Sequence, residues 1–148
     1  MLPLLWCLLF VNSRIVILPK TTVMADKIKI QLEYVINCSP KVLYNRLSTA
    51  SGLSEWFADD VRVQGKRFTF YWDGSEQTAE MTLHKENKLV RFSWIDEEDT
   101  YFEFRITQDE LTNDVSLIVI DFSEEDEEEE TSELWNTQIA DLKHILGS

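Results

Sequence analysis

The stretch Phe68–Trp94, FTFYWDGSEQTAEMTLHKENKLVRFSW, decides the fold. Phe68, Phe70 and Trp72 alternate with Thr69 and Tyr71; Ala79, Met81 and Leu83 alternate with Thr78, Glu80 and Thr82. Alternation of period two puts successive side chains on opposite faces of a strand, one apolar and one wet. Between these runs stands Asp73-Gly74, a strong hairpin signal, because glycine accepts the positive φ of a tight reversal. Glu86-Asn87-Lys88 then turns the chain into a third strand, with Val90, Phe92 and Trp94 on one face. Strands joined by turns this short must run antiparallel.

The same pattern extends in both directions. Upstream, Val61–Val63 leads into a turn at Gln64-Gly65-Lys66. Downstream, Asp96–Asp99 reverses the chain into Phe102, Phe104 and Ile106, which alternate with Tyr101, Glu103 and Arg105. After Thr112-Asn113-Asp114, Val115–Phe122 is apolar nearly throughout, which predicts a strand covered on both faces. Near the start, Ile28, Ile30, Leu32, Tyr34 and Ile36 alternate with Lys29, Gln31 and Glu33. That strand stops at Ser39-Pro40, a helix cap followed by a proline suited to the first helical position. Val42, Leu43 and Leu47 predict a helix to about Leu47, and a second short helix is expected over Leu53–Ala58 after a break at Gly52. At the other end, Trp135, Ile139, Leu142 and Leu146 recur at three- and four-residue spacing, an amphipathic helix with Gly147 as its stop. The class is α+β: a curved antiparallel sheet of about six to seven strands, whose apolar face only the long last helix can cover.

Size and charge narrow the partners. A chain of 148 residues fits one domain and buries a sizeable core without metal or disulfides. With 14 Lys+Arg against 27 Asp+Glu, the net charge is −13, which repels a phosphate backbone and argues against nucleic acid. Residues 1–23 differ from the rest: they hold no acidic residue, and Leu2–Val11 is apolar apart from Pro3. Ten apolar residues are too few to span a bilayer, and Arg14 blocks any extension. Two readings of this extension remain. It is an upstream start ahead of a natural N-terminus at Met24-Ala25-Asp26-Lys27, which implies a cytoplasmic protein. Alternatively it is a signal peptide cleaved after Val23-Met24-Ala25, which implies a secreted or periplasmic one. The expected domain is 24–148.

The chain resembles the START-like superfamily, the helix-grip or SRPBCC fold, and within it the branch related to activators of the heat-shock-protein-90 ATPase. The resemblance rests on Ser39-Pro40-Lys41-Val42-Leu43-Tyr44, Gly52-Leu53-Ser54-Glu55-Trp56-Phe57, Trp72-Asp73-Gly74 and the last helix from Trp135 through Leu142-Lys143. It covers about Asp26 to Gly147 and is similar to small stand-alone bacterial members. It implies a helix-grip fold, with two short helices after the first strand and a cavity between sheet and last helix. The activator role belongs to a larger protein with a further N-terminal domain, so ATPase activation is not carried over.

Chemistry is sparse. His84 and His144 stand without neighbouring ligands at metal spacing and read as surface histidines. Cys38 lacks a base nearby in sequence, and Cys7 adds no disulfide framework. Glu55 beside Trp56 offers a carboxylate at an apolar mouth, although such a residue ordinarily faces water. No phosphate-cradling loop, dinucleotide fingerprint or nucleophile elbow is present. No cofactor or metal is expected. The aromatic set stands out, either as core or as the wall of a ligand pocket. The candidate lining is Trp56, Phe70, Trp72, Met81, Phe92, Trp94, Phe104, Trp135 and Ile139. The leading expectation is a non-enzymatic domain, monomer or homodimer, that holds a small hydrophobic or lipid-like ligand between sheet and helix. The alternative is a filled core whose acidic run Glu124–Glu130 meets a basic or chaperone partner; the third is a cyclase- or aromatase-type enzyme, which needs an inward acid or base.

Overall fold

A computed structural model describes residues 27–147, so the extension 1–23 and its boundary at Met24 lie outside the described residues. Strand β1 (Ile28–Ile36) is followed by helices α1 (Pro40–Ser48) and α2 (Ala50–Leu53). Six strands come next: β2 (Asp60–Gln64), β3 (Arg67–Trp72), β4 (Ser75–Lys85), β5 (Leu89–Trp94), β6 (Tyr101–Gln108) and β7 (Val115–Ser123). A 3-10 turn over Glu125–Glu127 leads into helix α3 (Glu128–Leu146), 19 residues long. The strands make one sheet in the order β1-β7-β6-β5-β4-β3-β2, every pair antiparallel. This is the curved open sheet gripping a terminal helix that the hairpin pattern requires.

Turn chemistry places the reversals where the sequence puts them. Gly65 and Gly74 take positive φ, and Asn87, Asp99 and Asn113 do the same at the other three hairpins. Asn and Asp tolerate that region because their short polar side chains bond to nearby backbone. Ser39 caps α1, its hydroxyl accepting from the Val42 amide at 3.2 Å, and Gly147 ends α3 in the left-handed conformation.

Three local expectations need correction. The second short helix is Ala50–Leu53, and the residues expected to carry it, Ser54–Phe57, form turns. The break falls at Thr49, whose hydroxyl accepts from the Gly52 amide and starts the new helix. Gly52 lies inside that helix because its bare Cα packs on α1: a Cβ there would sit 2.5 Å from the Asn45 carbonyl oxygen and 2.7 Å from the Arg46 Cα. On β7, the inward Val115, Leu117 and Val119 are buried, and on the outward face Ile120 is buried as expected while Ile118 and Phe122 are only half-covered. In α1, Leu43 and Leu47 enter the core and Val42 faces solvent.

Candidate functional site between sheet and helix

The concave face of the sheet carries the aromatic side chains, and α3 crosses it with Trp135, Ile139 and Leu142 buried. All nine candidate lining residues come together in this one cluster. Phe70, Phe92, Phe104 and Ile139 are fully buried, and Trp56, Trp72 and Trp135 nearly so; Met81 and Trp94 are half-buried. Ring centroids lie 5.7 Å apart for Trp56 and Phe104, 5.8 Å for Phe104 and Trp135, and 6.0 Å for Phe70 and Phe92. Phe70 also meets Trp72 at 6.0 Å and Trp94 at 6.1 Å. These are contact distances, in the offset and edge-on geometries that aromatic quadrupoles favour.

The cluster has a centre outside the expected lining. Phe57, at the end of the turn after α2, stacks on Phe102 at 5.2 Å and on Trp135 at 6.0 Å, and meets Phe70 edge-on at 5.1 Å. Its carbonyl oxygen accepts two hydrogen bonds, from Trp72 Nε1 at 3.0 Å and from Gln138 Nε2 at 2.9 Å. One backbone group thereby ties together the turn, β3 and α3. The only sequence signal was a second ring beside Trp56. Phe102 bridges the halves of the array, 5.1 Å from both Phe92 and Trp94.

One inward carboxylate was hidden by the apolar reading of β7. Asp121 follows Leu117 and Val119 on the alternating inward face and is buried. Trp135 Nε1 donates to Asp121 Oδ2 at 2.8 Å, and the Phe122 amide donates to Oδ1 at 2.7 Å. Burial pushes this carboxyl up to about 6; the two hydrogen bonds and the charge of Lys27 pull the other way. The signal that could have found it is the indole N–H of Trp135, which needs an acceptor once buried.

The remaining candidates lie elsewhere. Glu55 is exposed and ion-paired to Arg46, and Trp56 Nε1 donates to the Arg46 carbonyl at 2.9 Å. His84 and His144 are exposed. Cys38 is a free, half-buried thiol whose pKa burial raises; it lines an open surface cleft of about 390 Å³ with Asn37, Asn113 and Asp114, at the far end of β1. On the convex face Glu103 is fully buried between Arg91, 2.7 Å away, and Arg105. Carboxylates of Glu124, Asp126 and Glu127 converge ahead of α3; burial first, and then the neighbouring acidic groups, raise the pKa of Glu127. Among the described residues no helix is long and apolar enough to cross a membrane.

Comparison with known proteins agrees with this architecture. The sequence profile of the START-like superfamily domain matches residues 24–148, and the chain belongs to that superfamily. A Bacteroides fragilis protein solved by NMR is 37% identical, with a TM-score of 0.61 over 83% of this chain and 93% of its own. The Aha1 dimer from Colwellia psychrerythraea shares the fold at 20% identity and TM-score 0.67, over 78% of this chain and 93% of that one. A Mesorhizobium loti protein does so at 18% and 0.68, over 81% and 97%. No curated protein matches.

Proposed function

We propose that the domain is a binding module, without catalysis, for a small hydrophobic or lipid-like molecule taken up between the sheet and α3. The observation that carries this reading is the aromatic floor, which runs unbroken beneath the helix and comes to the surface at one side, where Trp94 and Met81 are half-buried. Apolar concave surfaces with a few fixed polar tips are the usual sites for such ligands. The rings already touch one another, so uptake requires α3 or the Phe57 turn to yield. Side-chain hydrogen bonds that fasten α3 to the rest of the domain run from Trp135 to Asp121, from Gln138 to the Phe57 carbonyl, and from the Tyr34 hydroxyl, which donates to Asn136 Oδ1 at 2.6 Å. The inward carboxylate supports binding over catalysis, since both Asp121 oxygens are engaged by donors within the fold.

One observation favours the second reading, a protein-interaction module: Glu125, Asp126 and Glu128–Glu130 are exposed in one block before and into α3. Paired native and denaturing mass spectra of the protein from its own host separate the two. A discrete, extractable excess mass, together with uptake of an environment-sensitive hydrophobic dye that Trp94→Ala weakens, is the expected result. No excess mass and no dye uptake would overturn ligand binding in favour of the acidic surface.

A further inference from the structure

We infer that β1 is a self-complementary edge on which a second copy of this chain pairs, antiparallel, about a two-fold axis through Gln31. Among the described residues β1 is hydrogen-bonded on one side only, to β7, and stands at the end of the sheet. It is nine residues long, pairs with β7 without a register shift from Ile28↔Ser123 to Ile36↔Val115, and contains no proline. A straight, regular edge with free backbone donors and acceptors is a template for another strand. The other end of the sheet is unlike it: β2 has five residues.

The side chains of β1 identify the partner. Lys29, Gln31 and Glu33 are exposed on the convex face, in that order. In an antiparallel pair centred on Gln31, Lys29 lies directly across from Glu33 of the partner subunit, and Glu33 across from the partner's Lys29. Gln31 meets the partner's Gln31. On the concave face Ile30 falls opposite Leu32 of the partner subunit and Ile28 opposite the partner's Tyr34, so apolar meets apolar. An isologous interface must satisfy each contact twice with one patch, and residues 28–34 do so, with the exposed Val35 falling opposite Lys27 of the partner subunit. The same operation on β2 places Arg62, which is exposed, against its own copy. The pairing makes one sheet continuous through both subunits, with opposite-charge and apolar cross-strand pairs of the kind that stabilise ladders.

Sedimentation equilibrium of the full chain tests this. The expected result is a concentration-dependent dimer. Lys29→Glu and Glu33→Lys each place like charges opposite one another at two positions, and each alone should weaken the dimer by about tenfold or more. An equimolar mixture of the two variants should regain dimer, because every acidic strand then meets a basic one. Both positions are exposed, and unchanged melting curves of the separate variants would verify that each folds. A chain that stays monomeric up to about millimolar concentration overturns the inference, as does a dimer indifferent to both substitutions or one that mixing fails to restore.

Discussion

At the scale of single residues, the fold places a few groups where their chemistry is costly and holds them there. Asp121 is the sharpest case. Its carboxyl titrates near 6 in the folded chain, above the ordinary value near 3.9 of an unfolded one. Between those values the native state holds a proton that the unfolded state has lost, so this group's contribution is fully present below about pH 4 and fades as pH rises through 6. Relative to Asp121→Asn, the wild type should therefore lose about 2 kcal/mol of unfolding free energy between pH 4 and pH 7.5. Urea unfolding of both proteins at the two pH values checks it; parallel pH dependences would show the carboxyl to be unperturbed. Gly52 is constrained by space instead. Gly52→Ala drives a Cβ into backbone atoms of Asn45 and Arg46, with an expected cost of about 1–3 kcal/mol, read as a lower thermal midpoint. Phe57→Ala removes the ring at the centre of the array and should cost about 3–5 kcal/mol in denaturant melts.

At the scale of elements, α3 is fastened to the concave face by apolar burial and a small number of side-chain bonds. Gln138→Leu keeps the bulk but deletes the bond to the Phe57 carbonyl across 81 positions of sequence. Amide exchange along α3 and through Ser54–Ala58 should then quicken, with β6 and β7 unaffected; uniform protection throughout would show that bond to be dispensable. The elements themselves were largely legible. Alternation in Phe68–Trp94 and Ile28–Ile36, the Asp73-Gly74 reversal and the spacing of Trp135, Ile139 and Leu142 all depend on local periodicity, which a chain displays openly. Phe57 and Asp121 were not legible, because each acts through partners distant in sequence, stacked rings for one and an indole for the other; Gly52 reads as a break because a close helix–helix approach leaves no local pattern. Asp121 also interrupts an otherwise apolar strand, where composition outweighs alternation to the eye. That the nine candidate residues share one face follows from period two for the six on strands and from helical spacing for Trp135 and Ile139; their packing against one another could be seen only in the structure.

At the scale of the whole molecule, net charge is the governing quantity. A chain of −13 with seven consecutive acidic residues over Glu124–Glu130 repels itself when compact. Raising ionic strength from about 10 mM to about 0.5 M shortens the Debye length below the spacing of surface charges and relieves that repulsion. The melting temperature should rise by about 3–5 °C at neutral pH, the equivalent of about 1 kcal/mol for a domain of this size. Scanning calorimetry in a sodium chloride series checks the sign, and a fall would point to attractive ion pairs, such as those around Glu103, as the dominant charge effect. The order of the sheet has a consequence for the newborn chain. Every strand from β2 to β7 finds a neighbour adjacent in sequence, but β1, translated first among them, pairs only with β7, translated last. While the ribosome makes some eighty residues in between, Ile30, Leu32 and Ile36 have no sheet to join. Closure of the sheet therefore waits until β7 has been made, and the oldest strand is the last to find its place in it.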